Sequence, residues 1–234
     1  AHPRGEGSRR RDARAGRNVR VIAKGRPERE ARTVGSDRAL PRILVTGASG
    51  QLGFELARAL APLGTVIATD RAQLDLADAD AIVAAMRTHA PRIVVNAAAY
   101  TAVDQAERDE ARAHAVNATA PGILADEARR MGALLVHYST DYVFDGHQAQ
   151  PYAEDAPTNP LNAYGRSKLA GERAIAATGA TALVFRTSWV YAARGHNFLL
   201  TMRRLGVERD ELRVVDDQRG TPNWSRTLAQ ATAR

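Results

Sequence analysis

The chain is 234 residues long, 44% apolar and without cysteine, which suits one α/β domain with a sizeable core and excludes disulfides and thiolate metal sites. No apolar run approaches the roughly 18 residues of a membrane span and no secretory leader opens the sequence, so a cytoplasmic protein with no membrane partner is expected. The net charge of +7 is uneven: residues 1–42 hold 13 Lys+Arg against 5 Asp+Glu and the remainder 20 against 21, so a nucleic-acid reading rests on the first stretch alone and no nucleic-acid partner is expected.

Residues 1–41 are rich in Arg, Gly and Glu and show no apolar period outside 19–22. Such a segment cannot offset its ordering entropy by burial, so a disordered basic extension is expected, followed by a folded unit over 42–234. The β-branched run at 43–45 reads as a buried strand entering a tight turn at Thr46 and Gly47. Leu52, Leu56, Ala59 and Leu60 then recur at helical spacing. Residues 65–69 form a second strand ending at Asp70. Asp78 suits the cap of a helix running to about 87. A third strand at 93–95 leads into Asn96. Helical pattern covers 109–131 with an interruption near Pro121, and a strand at 134–138 follows. A helix is predicted over 164–177, a strand over 182–185, and a helix beginning near Ser225. Strands alternating with helices predict an α/β fold with a Rossmann-type, doubly wound parallel sheet.

Gly47, Gly50 and Gly53 form G-x-x-G-x-x-G between the first strand and the first helix. Gly47 and Gly50 suit a tight turn close to a diphosphate, Gly53 suits close helix–strand packing, and the helix N-terminus faces the phosphates. In this strand–turn–helix context the triplet points to a dinucleotide. Asp70, about 20 residues on, can accept hydrogen bonds from the adenosine ribose or be a turn residue; Arg71 could cover a 2′-phosphate. NADPH and NADH both stay open. Asp75 and Leu76 would lie near the adenine.

Tyr164 and Lys168 form Y-x-x-x-K, which puts phenol and ammonium on one helix face. Ser139, Thr140 and Asp141 stand upstream at a strand's carboxyl end, where such sheets bind ligands. Reducing a ketone requires a proton for the developing oxyanion. A nearby ammonium would lower the phenol from its usual pKa of ~10 and make Tyr164 a usable acid. Thr140 would hold the carbonyl oxygen beside it. Asn117 could orient Lys168 through water, or serve as a cap or buried amide.

These motifs are those of the extended short-chain dehydrogenase/reductases. Residues 96–104 (NAAAYTAVD), 137–146 (HYSTDYVFDG), 158–165 (TNPLNAYG), 186–191 (RTSWVY) and 217–222 (DQRGTP) resemble the dTDP-4-dehydrorhamnose reductase family from about Arg42 onward. The resemblance implies reduction of dTDP-4-dehydro-L-rhamnose to dTDP-L-rhamnose by NADPH or NADH. Tyr164, Lys168 and Thr140 would be catalytic. Gly50, Gln51, Leu52, Asp70, Asp75, Leu76, Ala99, Tyr100 and Thr101 would contact the cofactor. Val103, Asp141, Tyr142, Trp189 and Asn197 would shape the sugar pocket, although Trp189 also suits a core position. Some members hold magnesium with glutamates at a dimer interface. Here Glu55 matches one and Arg226 replaces the other, so no metal is expected. The family continues beyond position 234, so the small substrate-binding region is expected to be partly missing and reduction weak. A monomer or homodimer is expected. The alternatives are a related sugar-nucleotide epimerase or dehydratase, a non-catalytic regulatory subunit like that of methionine adenosyltransferase, and nucleic-acid binding through residues 1–41.

Overall fold

The computed structural model describes residues 20–22 and 40–234. The expected disordered extension therefore lies largely outside the described residues. Three of its residues do not follow that expectation. Arg20–Ile22 form a strand, β1, antiparallel to β6 (Ala182–Thr187). The physical reason is the edge of β6, whose backbone groups are free to pair with any extended segment.

The remaining elements alternate as expected. They are β2 (Arg42–Thr46), α1 (Gln51–Leu60), β3 (Thr65–Thr69), α2 (Ala79–His89), β4 (Ile93–Asn96), α3 (Val103–Ala106), α4 (Glu110–His114), α5 (Ala120–Met131), β5 (Leu134–Thr140) and α6 (Ala163–Thr178), which leads into β6. The sheet order is β1-β6-β5-β4-β2-β3, with β2 to β6 all parallel. Chain order runs outward from β2 to β3 and resumes on the other side at β4. The reversal lies beside the carboxyl end of β2, the position where open α/β sheets bind ligands.

Alternation along each strand supplies two cores. Leu44, Val94 and Leu135 face Ile82 and Met86 of α2, Leu124 of α5 and Ile175 of α6. Ile43, Val45, Val95 and Val136 face Leu52, Leu56 and Leu60 of α1 and Ala229 of α8 (Ser225–Thr232). Each such aliphatic side chain contributes about 1.5–3 kcal/mol when fully buried. Asp78 caps α2 as predicted, accepting from the Ala81 N–H.

The break expected near Pro121 is placed differently. Residues 110–131 are helical without interruption, and the irregularity is a π-helical turn at Ala115–Thr119, where the Ala120 N–H donates to the Ala115 carbonyl five residues back. Pro121 follows it, where the wider turn has already displaced the regular four-residue hydrogen bonding and the proline has no regular N–H bond to lose. The turn points Asn117 into the fold.

After β6 the chain makes β7 (Val190–Tyr191), α7 (Phe198–Glu208) and β8 (Asn223–Trp224), with β7 and β8 paired in parallel. The sequence reading assigned none of these. No residue of α7 is buried.

Candidate active site

The glycine turn joins β2 to α1. Gly47 has φ +72°, and a Cβ there would stand 2.8 Å from the Ala98 nitrogen; a Cβ on Gly53 would stand 2.0 Å from the Gly47 carbonyl oxygen. Neither position admits a side chain, so the turn lies flat on the strand ends. Gly50 has an ordinary φ of −73° and caps α1 without a side-chain hydrogen bond, and the first turn of α1 carries no acidic residue. The N–H groups and positive dipole end of α1 therefore remain available to an anion such as a diphosphate. Gln51 and Leu52 open the helix; Leu52 is a core residue.

Asp70 closes β3 and accepts from the Ala72 and Gln73 N–H groups through one carboxylate oxygen. Asp75 is held below the usual carboxylate range by the Ala77 N–H, with Arg112 and Arg71 adding to the effect. Arg112 bonds it at 3.1 Å and Arg71 stands 3.5 Å away. Leu76 is packed in the core, so its side chain is not presented to a ligand. Ala99, Tyr100 and Thr101 follow β4. The Tyr100 hydroxyl is buried without a partner, and its ring packs in the small cluster that holds Tyr164.

Tyr164 occupies the second position of α6. Its place is set by the Asn162 cap, which accepts from Gly165 N–H at 2.7 Å, and by Glu107, which accepts from Ala163 N–H at 2.6 Å. The Tyr164 ring meets Tyr142 edge-on at 5.6 Å. Thr140, at the end of β5, donates to Asp141 Oδ1 at 3.1 Å and accepts from the Tyr142 N–H.

The electrostatics differ from the expectation. Burial pushes the Tyr164 phenol up to about 12, opposed by the Thr140 hydrogen bond and reinforced by Asp141 and Tyr142. The Asp141 carboxyl is itself raised by burial. Lys168 is not among the groups acting on the phenol, although both stand on one helix. Its nitrogen is turned inward, donating to the Tyr138 carbonyl at 2.7 Å and meeting His137 Nε2 at 3.2 Å. The expected lowering of Tyr164 by Lys168 is thus corrected: burial outweighs a cation whose hydrogen bonds point elsewhere. A phenol so raised remains protonated at neutral pH, the form a general acid needs.

Asn117 is a buried amide. It accepts from the Tyr100 N–H and donates to the Tyr100 carbonyl, both at 2.9 Å, and donates to Ser167 at 3.0 Å. It ties the loop after β4 to α6.

On the expected sugar side, Val103 opens α3, and Asp141 and Tyr142 begin a short 3-10 turn. Trp189 sits between β6 and β7 with φ +43°, a left-handed conformation costly for a non-glycine residue, and is 50% exposed. A core role for it is excluded. Asn197 caps α7 and donates to Gln51 Oε1 at 2.7 Å, so it is bound to the glycine turn's helix. Arg226 stands against Glu55 at 3.2 Å.

The structure adds His137, Asn96 and Thr46, a buried set behind Lys168 that sequence reasoning passed over. The signal was there: His137 is a polar residue inside an otherwise apolar buried strand, where it must find partners. Glu172 and Arg186, paired at 2.7 Å, were missed because they come from separate elements.

Known proteins resemble this chain over most of its length. The family described as RmlD substrate binding domain matches residues 41–234. The chain is 56% identical over 192 residues to a dTDP-4-dehydrorhamnose reductase of Burkholderia thailandensis, covering 82% of this chain and 64% of that protein. It is 48% identical over 195 residues to the Escherichia coli protein of the same name, covering 82% and 65%. The chain thus spans just under two thirds of the length of these relatives. A solved dTDP-4-dehydrorhamnose reductase of Bacillus anthracis in complex with NADP superposes with a TM-score of 0.80 at 38% identity, covering 84% of this chain and 71% of that one.

Proposed function

Since the chain belongs to the RmlD substrate binding domain family, we propose that it reduces dTDP-4-dehydro-L-rhamnose to dTDP-L-rhamnose with NADPH or NADH. One observation carries the reading: an uncapped helix N-terminus behind a glycine turn and a protonated tyrosine beside a threonine hydroxyl lie at the carboxyl ends of one parallel sheet. The glycine cradle fits a dinucleotide, because any Cβ at Gly47 or Gly53 would meet backbone. Gly50, Gln51 and the first turn of α1 would hold the diphosphate, Asp70 the ribose, and Ala99, Tyr100 and Thr101 the adjoining face. The Bacillus anthracis relative's NADP supports this assignment.

A bound nicotinamide would supply the hydride for the carbonyl carbon. As it adds, the carbonyl π pair moves onto oxygen. Thr140 donates to that oxygen and holds it, and Tyr164 gives it the phenolic proton, so alcohol forms and the phenol becomes phenolate. Trp189, Tyr142, Asp141, Val103 and Asn197 would line the sugar side. A cytoplasmic location accompanies this reading, because nucleotide-linked sugars and the nicotinamide pool are held there.

The test supplies dTDP-4-dehydrorhamnose with each cofactor and follows loss of nicotinamide absorbance. Tyr164→Phe should lower kcat by about 10²–10⁴-fold with the fold unchanged. A Tyr164→Phe protein as fast as its parent removes the assigned acid, and no turnover with either cofactor, even for a chain extended to the relatives' full length, removes the reaction.

A further inference from the structure

The sequence has two lysines, Lys24 and Lys168, and Lys168 is the one among the described residues. It is 1% exposed, and no described carboxylate stands within ion-pair distance of it. Instead its nitrogen meets His137 Nε2, on a ring that is wholly enclosed. On the far side of that ring, Nδ1 meets Asn96 Nδ2 at 3.1 Å. Asn96 Oδ1 accepts the Thr46 hydroxyl at 2.7 Å, and Thr46 immediately precedes Gly47. Four buried side chains, drawn from β2, β4, β5 and α6, thus run from the glycine turn to the lysine.

We propose that His137 is a positioning residue for Lys168: clamped from behind by Asn96 and Thr46, its ring fixes where the lysine nitrogen stands and ties the lysine's charge to which ring nitrogen carries the imidazole proton. This deepens the reductase reading and rests on it only for the consequence in turnover.

The donor and acceptor rules of imidazole carry the inference. With the Asn96 NH₂ facing Nδ1, that nitrogen must accept. The neutral ring then carries its proton on Nε2, and the lysine nitrogen facing it can accept only as a free amine. With the Asn96 amide reversed, Nδ1–H donates to its oxygen, Nε2 is bare, and the lysine stands as ammonium. Thr46 biases the choice. Its hydroxyl proton has Asn96 Oδ1 as acceptor in the first arrangement and faces an NH₂ group in the second.

The surroundings agree. Burial holds the ring well below the usual histidine range, reinforced by Lys168, and pushes Lys168 down to about 8 against the opposing pull of Glu172. Glu172, one turn along α6, is held in a two-pronged pair by Arg186 of β6. Tyr164, one turn back, is a neutral phenol, and β4 presents the uncharged Asn96. Lys168 can therefore change charge near neutral pH.

The experiment uses protein with ¹³C-lysine and ¹⁵N-histidine and no cofactor or substrate, in which Lys168 gives one of two lysine signals. As pH crosses the Lys168 midpoint, the two ring nitrogens of His137 should exchange protonated for bare character. Thr46→Val should move that midpoint upward by about half to one pH unit, the equivalent of one net hydrogen bond. His137→Gln, whose amide oxygen accepts from an ammonium, should also move it upward. The reductase pH profile should follow the midpoint in Thr46→Val. Ring nitrogens that keep one state through the lysine titration, or a Thr46→Val midpoint that stays or falls, overturn the proposal. Should His137→Gln fail to fold, the unaltered protein and Thr46→Val decide. Coupled titration in a protein that reduces nothing would sink the reductase reading alone; an active reductase without it would sink this one alone.

Discussion

Asn197 and Gln51, 146 residues apart, are joined by a hydrogen bond of 2.7 Å from the Asn197 amide to Gln51 Oε1. Gln51 opens the helix behind the glycine turn and Asn197 caps α7, whose Leu200 N–H it accepts at 2.9 Å. The bond therefore fastens the sugar-side segment to the proposed cofactor turn, helped by Arg194, whose guanidinium lies 4.0 Å over the Phe54 ring. Gln51→Ala removes the tie and keeps the cap. Asn197→Ala removes both, and the lost cap costs about 1 kcal/mol. Hydrogen exchange should quicken at 192–197 in both variants and along α7 only in Asn197→Ala. Identical exchange patterns would show that the tie has no effect of its own.

Gly53 and Gly206 predict opposite outcomes for the same substitution. A Cβ on Gly53 would stand 2.0 Å from the Gly47 carbonyl oxygen, whereas nothing lies within 4 Å of one on Gly206 in α7. Gly53→Ala should cost about 1–3 kcal/mol of stability and weaken NADPH binding, because α1 must move off the turn. Gly206→Ala should gain about 0.5–1 kcal/mol from helix propensity and leave binding unchanged. Thermal unfolding and a dinucleotide titration on each variant separate the two.

Lys168 makes stability depend on pH with a definite sign. Burial lowers it from the ordinary 10.5 to about 8, so between those values the unfolded chain binds a proton that the folded one has lost. Stability therefore rises with pH across that window, and the cost of the buried ammonium is fully present below it. Lys168→Met carries no such cost. The variant's advantage in urea-unfolding free energy should be on the order of 1–3 kcal/mol larger at pH 7.5 than at pH 10. An advantage that stays constant or grows with pH contradicts the assignment.

Arg186 and Glu172 are each 10% exposed and paired through two bonds, at 3.0 and 2.7 Å. Arg186 also donates to the Glu154 carbonyl and lies over the Phe144 ring. Arg186→Met would leave a buried carboxylate alone and release the loop after the Thr140 turn, costing about 3–5 kcal/mol. Adding Glu172→Gln should recover much of that loss, because the uncompensated charge is gone. Chemical denaturation of the single and double variants measures the recovery; an additive double variant would show that the two residues act independently.

Most of the fold and the order of the site residues are legible in the chain itself, since both depend on local pattern. The strand-like runs at 43–45, 65–69, 93–95 and 134–138 alternate with helical spacing, and that alternation dictates a parallel sheet. The glycine spacing 47–50–53, the Asp78 cap and the four-residue step from Tyr164 to Lys168 are equally local. What depends on distant partners was settled only when the chain folded. The π turn at Ala115–Thr119 is shaped by Asn117 reaching Tyr100 and Ser167. The exposed, strained Trp189 and the Gln51–Asn197 tie join segments far apart in sequence. The helix spacing placed Lys168 on the face of Tyr164, but not the direction of its nitrogen. That direction is set by the Tyr138 carbonyl and His137 on a neighbouring strand. A buried charge goes where its hydrogen bonds are, and those come from whichever elements pack beside it.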